Sequence, residues 1–110
     1  MDSLGATASF SALSQQTRLD VFRLLLKAGP KGMQAGAIGE ELNVRQNTMS
    51  ANLSVLVQAG LLRNEREGRA IRYFANIEGL RDLLSFLMQD CCGGRPELCQ
   101  PIIEELACAC

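Results

Sequence analysis

The spacing of apolar residues changes twice along this chain, and these changes restrict the folds open to it. Up to Gly60, apolar side chains recur every three or four residues, which places them on one face of a helix. The two runs that follow, LLRNERE and AIRYFAN, alternate as strands do and are joined at Gly68-Arg69. Helical spacing returns from Glu78. The pattern therefore predicts helices, then a β-hairpin, then another helix.

The first predicted helix lies in SALSQQTRLDVFRLLLKAG. Its apolar stripe consists of Leu19, Phe22, Leu25 and Leu26. Ser14 is a suitable residue to cap its start, because a serine hydroxyl accepts a hydrogen bond from the first helical N–H groups. The Gly29-Pro30 pair ends it, since glycine favours the end of a helix and proline cannot continue one.

Two short helices follow, joined by a tight turn at Asn43. The segment QAGAIGEEL forms the first, and RQNTMSANLSVLVQAG forms the second. In the second, Met49, Leu53 and Leu56 face inward at positions i, i+4 and i+7. Two short helices with such a turn are a helix-turn-helix. With the hairpin, the expected fold is mainly α with a small β-hairpin, a winged helix-turn-helix.

The length of 110 residues predicts a single domain, with a core over residues 11–90 and a cysteine-rich tail over residues 91–110. A helical turn is expected around residues 102–106 of the tail. No apolar run approaches the roughly 18 residues that a membrane span requires. The first ten residues lack the basic and apolar regions of a signal peptide. We therefore expect a cytoplasmic protein without a membrane partner.

Basic residues are concentrated in the middle of the chain. The whole chain carries a net charge of −1, but residues 44–75 hold five arginines and two glutamates, a net charge of +3. The segments before and after them carry net charges of 0 and −4. A basic segment that coincides with a predicted helix-turn-helix and hairpin indicates a surface for nucleic acid.

Three segments together resemble successive motifs of the ArsR/SmtB family of winged-helix metalloregulators. They are QTRLDVFRLL, RQNTMSANLSVLVQAGLL and NEREGRAIRYFA, and the resemblance covers roughly residues 11–90. It implies a homodimeric repressor that leaves its operator DNA when it binds a metal or metalloid ion. The chain departs from the family pattern at Arg45, where serine is common, and at Ala51 or Asn52, where histidine is frequent.

The predicted recognition helix carries short polar side chains where a helix in the major groove needs them, near its N-terminus. Gln46, Asn47 and Ser50 face outward once Met49 and Leu53 turn inward, and glutamine and asparagine pair with adenine edges. The remaining candidates are Arg45, for a guanine or a phosphate, and Arg66 and Arg69 at the hairpin tip, for phosphates or the minor groove. A solvated surface of polar residues remains the alternative for each side chain.

All five cysteines stand in the last twenty residues, in a chain without histidine. Reduced thiols clustered in this way point to metal, metalloid or redox chemistry. Thiolates select soft ions, and the lack of histidine excludes a mixed Cys/His zinc site. A cysteine pair in the helix before the recognition helix, which many family members have, is absent from MQAGAIGEEL.

The segment CCGGRPELC provides three thiolates that can converge. Gly93-Gly94 gives the backbone freedom after Cys91 and Cys92, and Pro96 helps to turn the chain so that Cys99 returns toward the pair. Three thiolates suit a trigonal-pyramidal ion, so As(III) is the expected inducer, with Sb(III) next. The arrangement resembles that of some arsenite-responsive repressors. Cys108 and Cys110 are additional ligand candidates, for example as the fourth ligand of zinc.

The resemblance also implies that Leu83, Leu84 and Leu87, on the helix from Glu78, pair with a second subunit. Two other functions stay open: a thiol-redox regulator on the same scaffold, and a thiol protein that sequesters metal without a role at DNA. We expect that the chain is not an enzyme and requires no cofactor, because it lacks histidine, a nucleotide-binding glycine loop and a CxxC motif.

Overall fold

The structure is a computed structural model, and it describes residues 1–89 and 96–108. These residues form six helices, a 3-10 turn over Gly29–Lys31 and three strands. In chain order the elements are α1 (Ser3–Leu13), α2 (Gln16–Ala28), β1 (Met33–Gln34), α3 (Ala35–Leu42), α4 (Gln46–Gln58), β2 (Leu62–Glu67), β3 (Ala70–Ala75), α5 (Ile77–Met88) and α6 (Pro96–Cys108). The expected winged helix-turn-helix is confirmed in its order of elements.

The first predicted helix is in fact two helices. Ser14 does not cap the start of α2; it ends α1, and its N–H donates to the carbonyl of Ser11. The cap of α2 is Gln15, whose Oε1 accepts from the N–H of Arg18 at 2.9 Å. Helix α1 buries small residues, Ala6, Ser9 and Ala12, so it has no stripe of large apolar side chains that the sequence pattern could reveal.

The buried face of α2 also differs from the predicted stripe. Val21 and Leu25 are fully buried, whereas Leu19 is 37% exposed. Phe22 is buried as predicted, and Leu26 packs at the edge of the core. The face shifts because α1 and α4 both pack against α2, and their position determines which residues are covered.

The helix-turn-helix is built as the sequence predicts. Asn43 ends α3 in the left-handed region at φ 55°, which asparagine tolerates better than most residues. On α4, the side chains of Met49, Leu53 and Leu56 are all 1% exposed or less. Gly60 follows the helix with φ +80°. The inward face of α4 is therefore fixed by the core, and its opposite face is left to solvent.

The hairpin belongs to a three-stranded antiparallel sheet of order β1-β3-β2. Strand β1 has only two residues, too few to give a periodic signal, and it pairs Met33 with Tyr73. Just before it, Gly32 adopts φ +60°, and a Cβ there would lie 2.6 Å from the ring of Phe74. This close approach explains why position 32 is a glycine. Phe74 itself is buried, with 6% of its surface exposed.

Helix α5 is attached to the end of the recognition helix. The N–H of Asn76 donates to the carbonyl of Leu61 at 2.8 Å, and its side-chain amide donates to the carbonyl of Gly60 at 2.8 Å. One turn later, a Cβ on Gly79 would overlap that same Gly60 carbonyl oxygen. The first turn of α5 therefore packs directly on the backbone that leaves α4.

The sequence predicts one helical turn around residues 102–106, whereas α6 spans Pro96–Cys108. Proline is favourable in the first turn of a helix, so Pro96 starts α6 rather than preventing it. Pro101 lies inside the helix and leaves one backbone carbonyl without its usual donor. Within the described residues, no helix is long and apolar enough to span a membrane.

Candidate nucleic-acid interface

The predicted DNA-reading residues lie together on the outer side of α4. Arg45 precedes the helix, and Gln46, Asn47 and Ser50 occupy its first turns, all exposed to solvent. Their positions follow from the burial of Met49, which turns the opposite face outward. The outer face is thus rich in hydrogen-bonding groups and has no acidic side chain between Arg45 and Gln58.

The start of α4 is open to an anion. Arg45 is at the N-cap position, and its side chain makes no capping hydrogen bond. The Asn47 side chain turns back, and its Oδ1 accepts from the N–H of Thr48 at 2.9 Å. Unpaired N–H groups at a helix start favour negative charge, and the Arg45 guanidinium beside them adds to this preference.

Two of the arginines in the basic segment are engaged in ion pairs on one face of the sheet. Arg63 pairs with Glu65 at 3.2 Å and lies over the ring of Phe74, 4.2 Å from its centre. Arg72 pairs with Glu67 at 3.0 Å. Both glutamates of the segment are therefore used to neutralise arginines of the same sheet.

Arg72 and Glu67 also fix the hairpin to the start of α3. Arg72 donates to the backbone carbonyl of Lys31 at 3.1 Å, and the Gln34 side-chain amide donates to Glu67 at 2.9 Å. The hydrogen bond from Gln34, followed by that from Arg72, lowers the pKa of Glu67 below its ordinary value. These contacts hold the exposed part of the hairpin against the start of α3.

Arg66 and Arg69 take no part in the ion pairs of the described residues. Arg66 donates from Nε to the carbonyl of Gly68 at 3.3 Å, within the hairpin turn itself. Both side chains are exposed at the tip. The net charge of +3 in the segment therefore resides at Arg45, Arg66 and Arg69, the same arginines that the sequence selects for DNA.

The predicted dimer residues separate into two groups. Leu83 is 3% exposed, so its side chain is already covered within one chain and has almost no surface left for a partner. Leu84 and Leu87 are exposed, at 41% and 49%. Leu84 and Leu87 therefore offer surface to a second subunit and Leu83 does not, and the pairing of subunits through this helix stays a prediction.

The predicted thiolate site falls where the structure makes no statement. Cys91, Cys92 and Cys110 lie outside the described residues, as do the side chains of Cys99 and Cys108. Among the side chains that the structure describes, no group of three or more potential metal ligands converges. The cysteine assignment thus stays a prediction from sequence.

Two side chains behind α4 were not predicted from the sequence to have a functional role. Asn52 lies on the inner face of the helix, and Arg18 of α2 donates to its Oδ1 at 3.2 Å. A signal was present, because an amide at position 52 interrupts the inward apolar series of α4. A buried polar residue of this kind indicates a partner on a neighbouring element.

Comparison with known proteins gives consistent matches. A family model described as a helix-turn-helix domain matches residues 13–65. The transcriptional repressor SdpR of Bacillus subtilis (strain 168) is 34% identical over 79 residues, which cover 72% of this chain and 84% of SdpR.

Two solved structures share the fold. An ArsR-like transcriptional regulator from Rhodococcus sp. RHA1 is 25% identical with a TM-score of 0.70, covering 94% of this chain and 93% of that one. A homodimeric winged helix-turn-helix DNA-binding domain from Mycobacterium bovis is 23% identical with a TM-score of 0.61, covering 78% and 82%.

Proposed function

The chain belongs to the ArsR-like family of helix-turn-helix transcriptional regulators, and from this premise we propose that it is a homodimeric repressor that trivalent arsenic or antimony releases from operator DNA. The proposal has three parts, which are DNA reading, assembly and induction. Each part is supported by different residues.

The distribution of uncompensated charge is the observation that carries the DNA-binding part. Arg45 flanks the exposed polar face of α4, while Arg66 and Arg69 extend from the adjacent hairpin tip. Phosphate contacts position a protein on the duplex, and base contacts specify the sequence. The three arginines are suited to the first task, and Gln46 and Asn47 to the second, because amide side chains pair with adenine edges.

Exposed apolar side chains on two helices support the homodimer. Leu84 and Leu87 lie on α5, and Leu4 and Phe10 lie on α1, where Leu4 is 81% exposed. Helices α1 and α5 contact each other, so these side chains belong to neighbouring elements. Pairing would cover them, and the relative from Mycobacterium bovis with the same fold is a homodimer. Two recognition helices can then reach half-sites about one turn of DNA, roughly 34 Å, apart.

The inducer part rests on the cysteine pattern. Cys91 and Cys92 stand in the chain between the end of α5 at Met88 and the start of α6 at Pro96, and Cys99 belongs to the first turns of α6. Three thiols displace the three hydroxyl groups of arsenous acid and release three waters, which leaves arsenic bound to three sulfurs. The three thiol protons leave with the three hydroxyl groups as water, so the exchange releases no net proton.

Induction requires that binding alters the dimer. The cysteine segment directly follows α5, which carries Leu84 and Leu87 and packs on the end of α4 through Asn76. A three-sulfur site that draws α5 and α6 together can therefore change the spacing of the two recognition helices. A coupling of about 1–3 kcal/mol lowers operator affinity roughly 5- to 150-fold.

Titration of the protein–operator complex tests DNA binding and induction. The DNA upstream of its own gene is used, and arsenite, antimonite, cadmium, zinc and peroxide are added with and without reductant. We expect arsenite to release the DNA from the parent and from a Cys108→Ser/Cys110→Ser control. We expect Cys91→Ser, Cys92→Ser and Cys99→Ser to bind DNA normally but to release it weakly or not at all.

The outcomes separate the alternatives. Normal release by arsenite from the Cys99→Ser variant, together with loss of release in the terminal double variant, would move the third ligand to Cys108 or Cys110. Release by peroxide that reductant reverses, equal to that by arsenite, would favour the thiol-redox regulator. Failure of the parent to prefer any upstream DNA would contradict the DNA-binding part itself and favour a thiol protein that sequesters metal.

Substitution of the polar residues on α4 tests the base-reading assignment. Gln46→Ala and Asn47→Ala are each expected to cost about 1–3 kcal/mol at particular base pairs and little elsewhere. Binding to a set of operators with single base changes measures this. Equal losses at every position, or none at any, would show that α4 does not read bases through these two side chains.

A further inference from the structure

Asn52 is a polar side chain on the buried face of the recognition helix. It is 7% exposed, and its neighbours on that face, Met49, Leu53 and Leu56, are apolar and fully covered. An amide in such surroundings destabilises the fold unless its polar atoms find partners. The partner of Asn52 therefore determines how this part of α4 can be oriented.

The partner is the guanidinium of Arg18, which joins three helices. Its Nη1 donates to Oδ1 of Asn52 at 3.2 Å on α4, and its Nε donates to the carbonyl of Ala12 at 2.6 Å on α1. Arg18 itself is anchored at the start of α2, where its N–H donates to Gln15. We call this set of contacts the Arg18 bridge.

The planar guanidinium group of Arg18 fixes the directions of the hydrogen bonds in the bridge. Arg18 is partly buried and takes part in none of the ion pairs of the described residues, so these two oxygen atoms are the acceptors that the structure gives its side chain. Hydrogen bonds from an ionised donor are stronger than neutral ones. The N–H groups of a guanidinium are also fixed in one plane, whereas a lysine ammonium offers no such rigid fork.

We propose that Arg18 is a positioning residue for DNA reading, which holds α4 at a fixed angle to α1 through the bridge from Ala12 to Asn52. The inference rests on the proposed function, in which α1 contributes Leu4 and Phe10 to the dimer surface. The bridge then fixes each recognition helix relative to its partner. A shift of α1 in the dimer is transmitted to α4 by the same two hydrogen bonds.

The consequence is specific to sequence-dependent binding. Base contacts by Gln46 and Asn47 require α4 at one angle in the groove, whereas phosphate contacts by the exposed wing arginines tolerate small rotations. Loss of the bridge is therefore expected to lower affinity for the operator more than affinity for DNA of mixed sequence. The ratio of the two affinities separates positioning from a general loss of binding.

The experiment measures this ratio for the full chain at one salt concentration. Arg18→Lys keeps the charge and removes the fork, and Asn52→Leu removes the acceptor. Each is expected to lower the ratio about five- to tenfold, the size of couplings between hydrogen-bonded neighbours. The double variant is expected to be no worse than the worse single variant, because both changes break the same contact.

Two control variants test whether the change in the ratio is specific to the bridge. Arg23→Lys changes an exposed arginine on the same helix and is expected to leave the ratio unchanged. Asn52→Asp keeps an oxygen acceptor for Arg18, so it is expected to keep the ratio even where its added charge weakens binding to both DNAs. Unchanged ratios in both single variants, or additive losses in the double variant, would overturn the proposal.

Hydrogen exchange distinguishes this proposal from the failure of the function on which it rests. If the parent does not prefer operator DNA, the proposed function fails. The effect of the bridge is then measured from the exchange rates of the backbone amides of α4. Faster exchange of these amides in Arg18→Lys, with parent-like exchange in Arg23→Lys, supports positioning. Parent-like exchange in Arg18→Lys overturns it. The same measurement decides the matter if Asn52→Leu does not fold.

Discussion

Helix α4 and the wing belong to the same proposed DNA-binding surface, but different forces hold them in place. Helix α4 buries Met49, Leu53 and Leu56 completely and has uncharged polar side chains on its outer face. The wing is exposed along almost all of β2 and is held by ion pairs and hydrogen bonds around Glu67 and Arg72. One region is positioned by the core, and the other by surface contacts.

This difference separates stability from binding. A change behind α4 disturbs the core that the whole domain shares, so it lowers the free energy of unfolding. A change on the wing removes an exposed side chain, and exposed ion pairs contribute about 1 kcal/mol or less. We therefore expect substitutions on the buried face of α4 to act first on folding and substitutions on the wing to act first on DNA affinity.

The largest effect is expected for Leu53→Ala. Leu53 is fully buried in the centre of the helix, and removal of its side chain leaves a cavity, so the free energy of unfolding should fall by about 2–5 kcal/mol. Val55→Ala, on the exposed side of the same helix, is the control and should change it by less than about 0.5 kcal/mol. Urea unfolding measures both; equal losses would contradict the comparison.

The next effect concerns the joint between α4 and α5. Gly79→Ala places a Cβ against the Gly60 carbonyl oxygen, and the backbone must shift, at a cost of about 1–3 kcal/mol. Gly36→Ala is a matched change in α3, where the space around the new Cβ is open, and it should stabilise by about 0.4–1 kcal/mol. Thermal unfolding measures the melting midpoints of both variants. A shift of both midpoints in the same direction would contradict the packing argument.

On the wing, binding should change while stability does not. Arg66→Ala and Arg69→Ala each remove an exposed charge that is in no described ion pair, so each should make the slope of log affinity against log salt shallower by about 0.9. Arg63→Ala is the control, because its charge is already paired with Glu65. A larger change in slope for Arg63→Ala than for the tip arginines would reverse the assignment.

The smallest effect is the pH dependence of the wing. The pKa of Glu67 is lowered, first by the hydrogen bond from Gln34 and then by Arg72. A lowered carboxyl pKa stabilises the folded state above the ordinary value of about 4.3, and the contribution is lost as the pH falls through the folded pKa. The stabilities of the parent and Glu67→Gln should thus differ slightly at pH 7 and converge as the pH falls below the folded pKa of Glu67.

Melting midpoints across this range provide the measurement. Glu41→Gln removes an exposed carboxylate that is outside the ion pairs of the described residues, and it serves as the control. A difference between the parent and Glu67→Gln that persists unchanged at acid pH would show that the ionised carboxylate, held by Gln34 and Arg72, is not its source.

The distribution of charge shows how far sequence reasoning reaches. The excess of basic residues in 44–75 was evident from the sequence, and Arg66 and Arg69 were selected from their position in the hairpin. That Glu67 neutralises Arg72 depends on strand register, which sets Glu67 opposite Ala70, two residues from Arg72 on the neighbouring strand. Register follows from the completed sheet, so a linear pattern does not supply it.

The sequence by itself determined the helix-turn-helix followed by a hairpin and a helix, the inward face of α4, the turn at Asn43 and the basic wing, because these features depend on local spacing and turn chemistry. Only the tertiary structure divided the first helix in two, added β1 to the sheet and covered Leu83 within the chain. It also brought Arg18 to Asn52, 34 residues apart in sequence. Contacts between distant segments depend on how helices pack, and packing is a property of the assembled core.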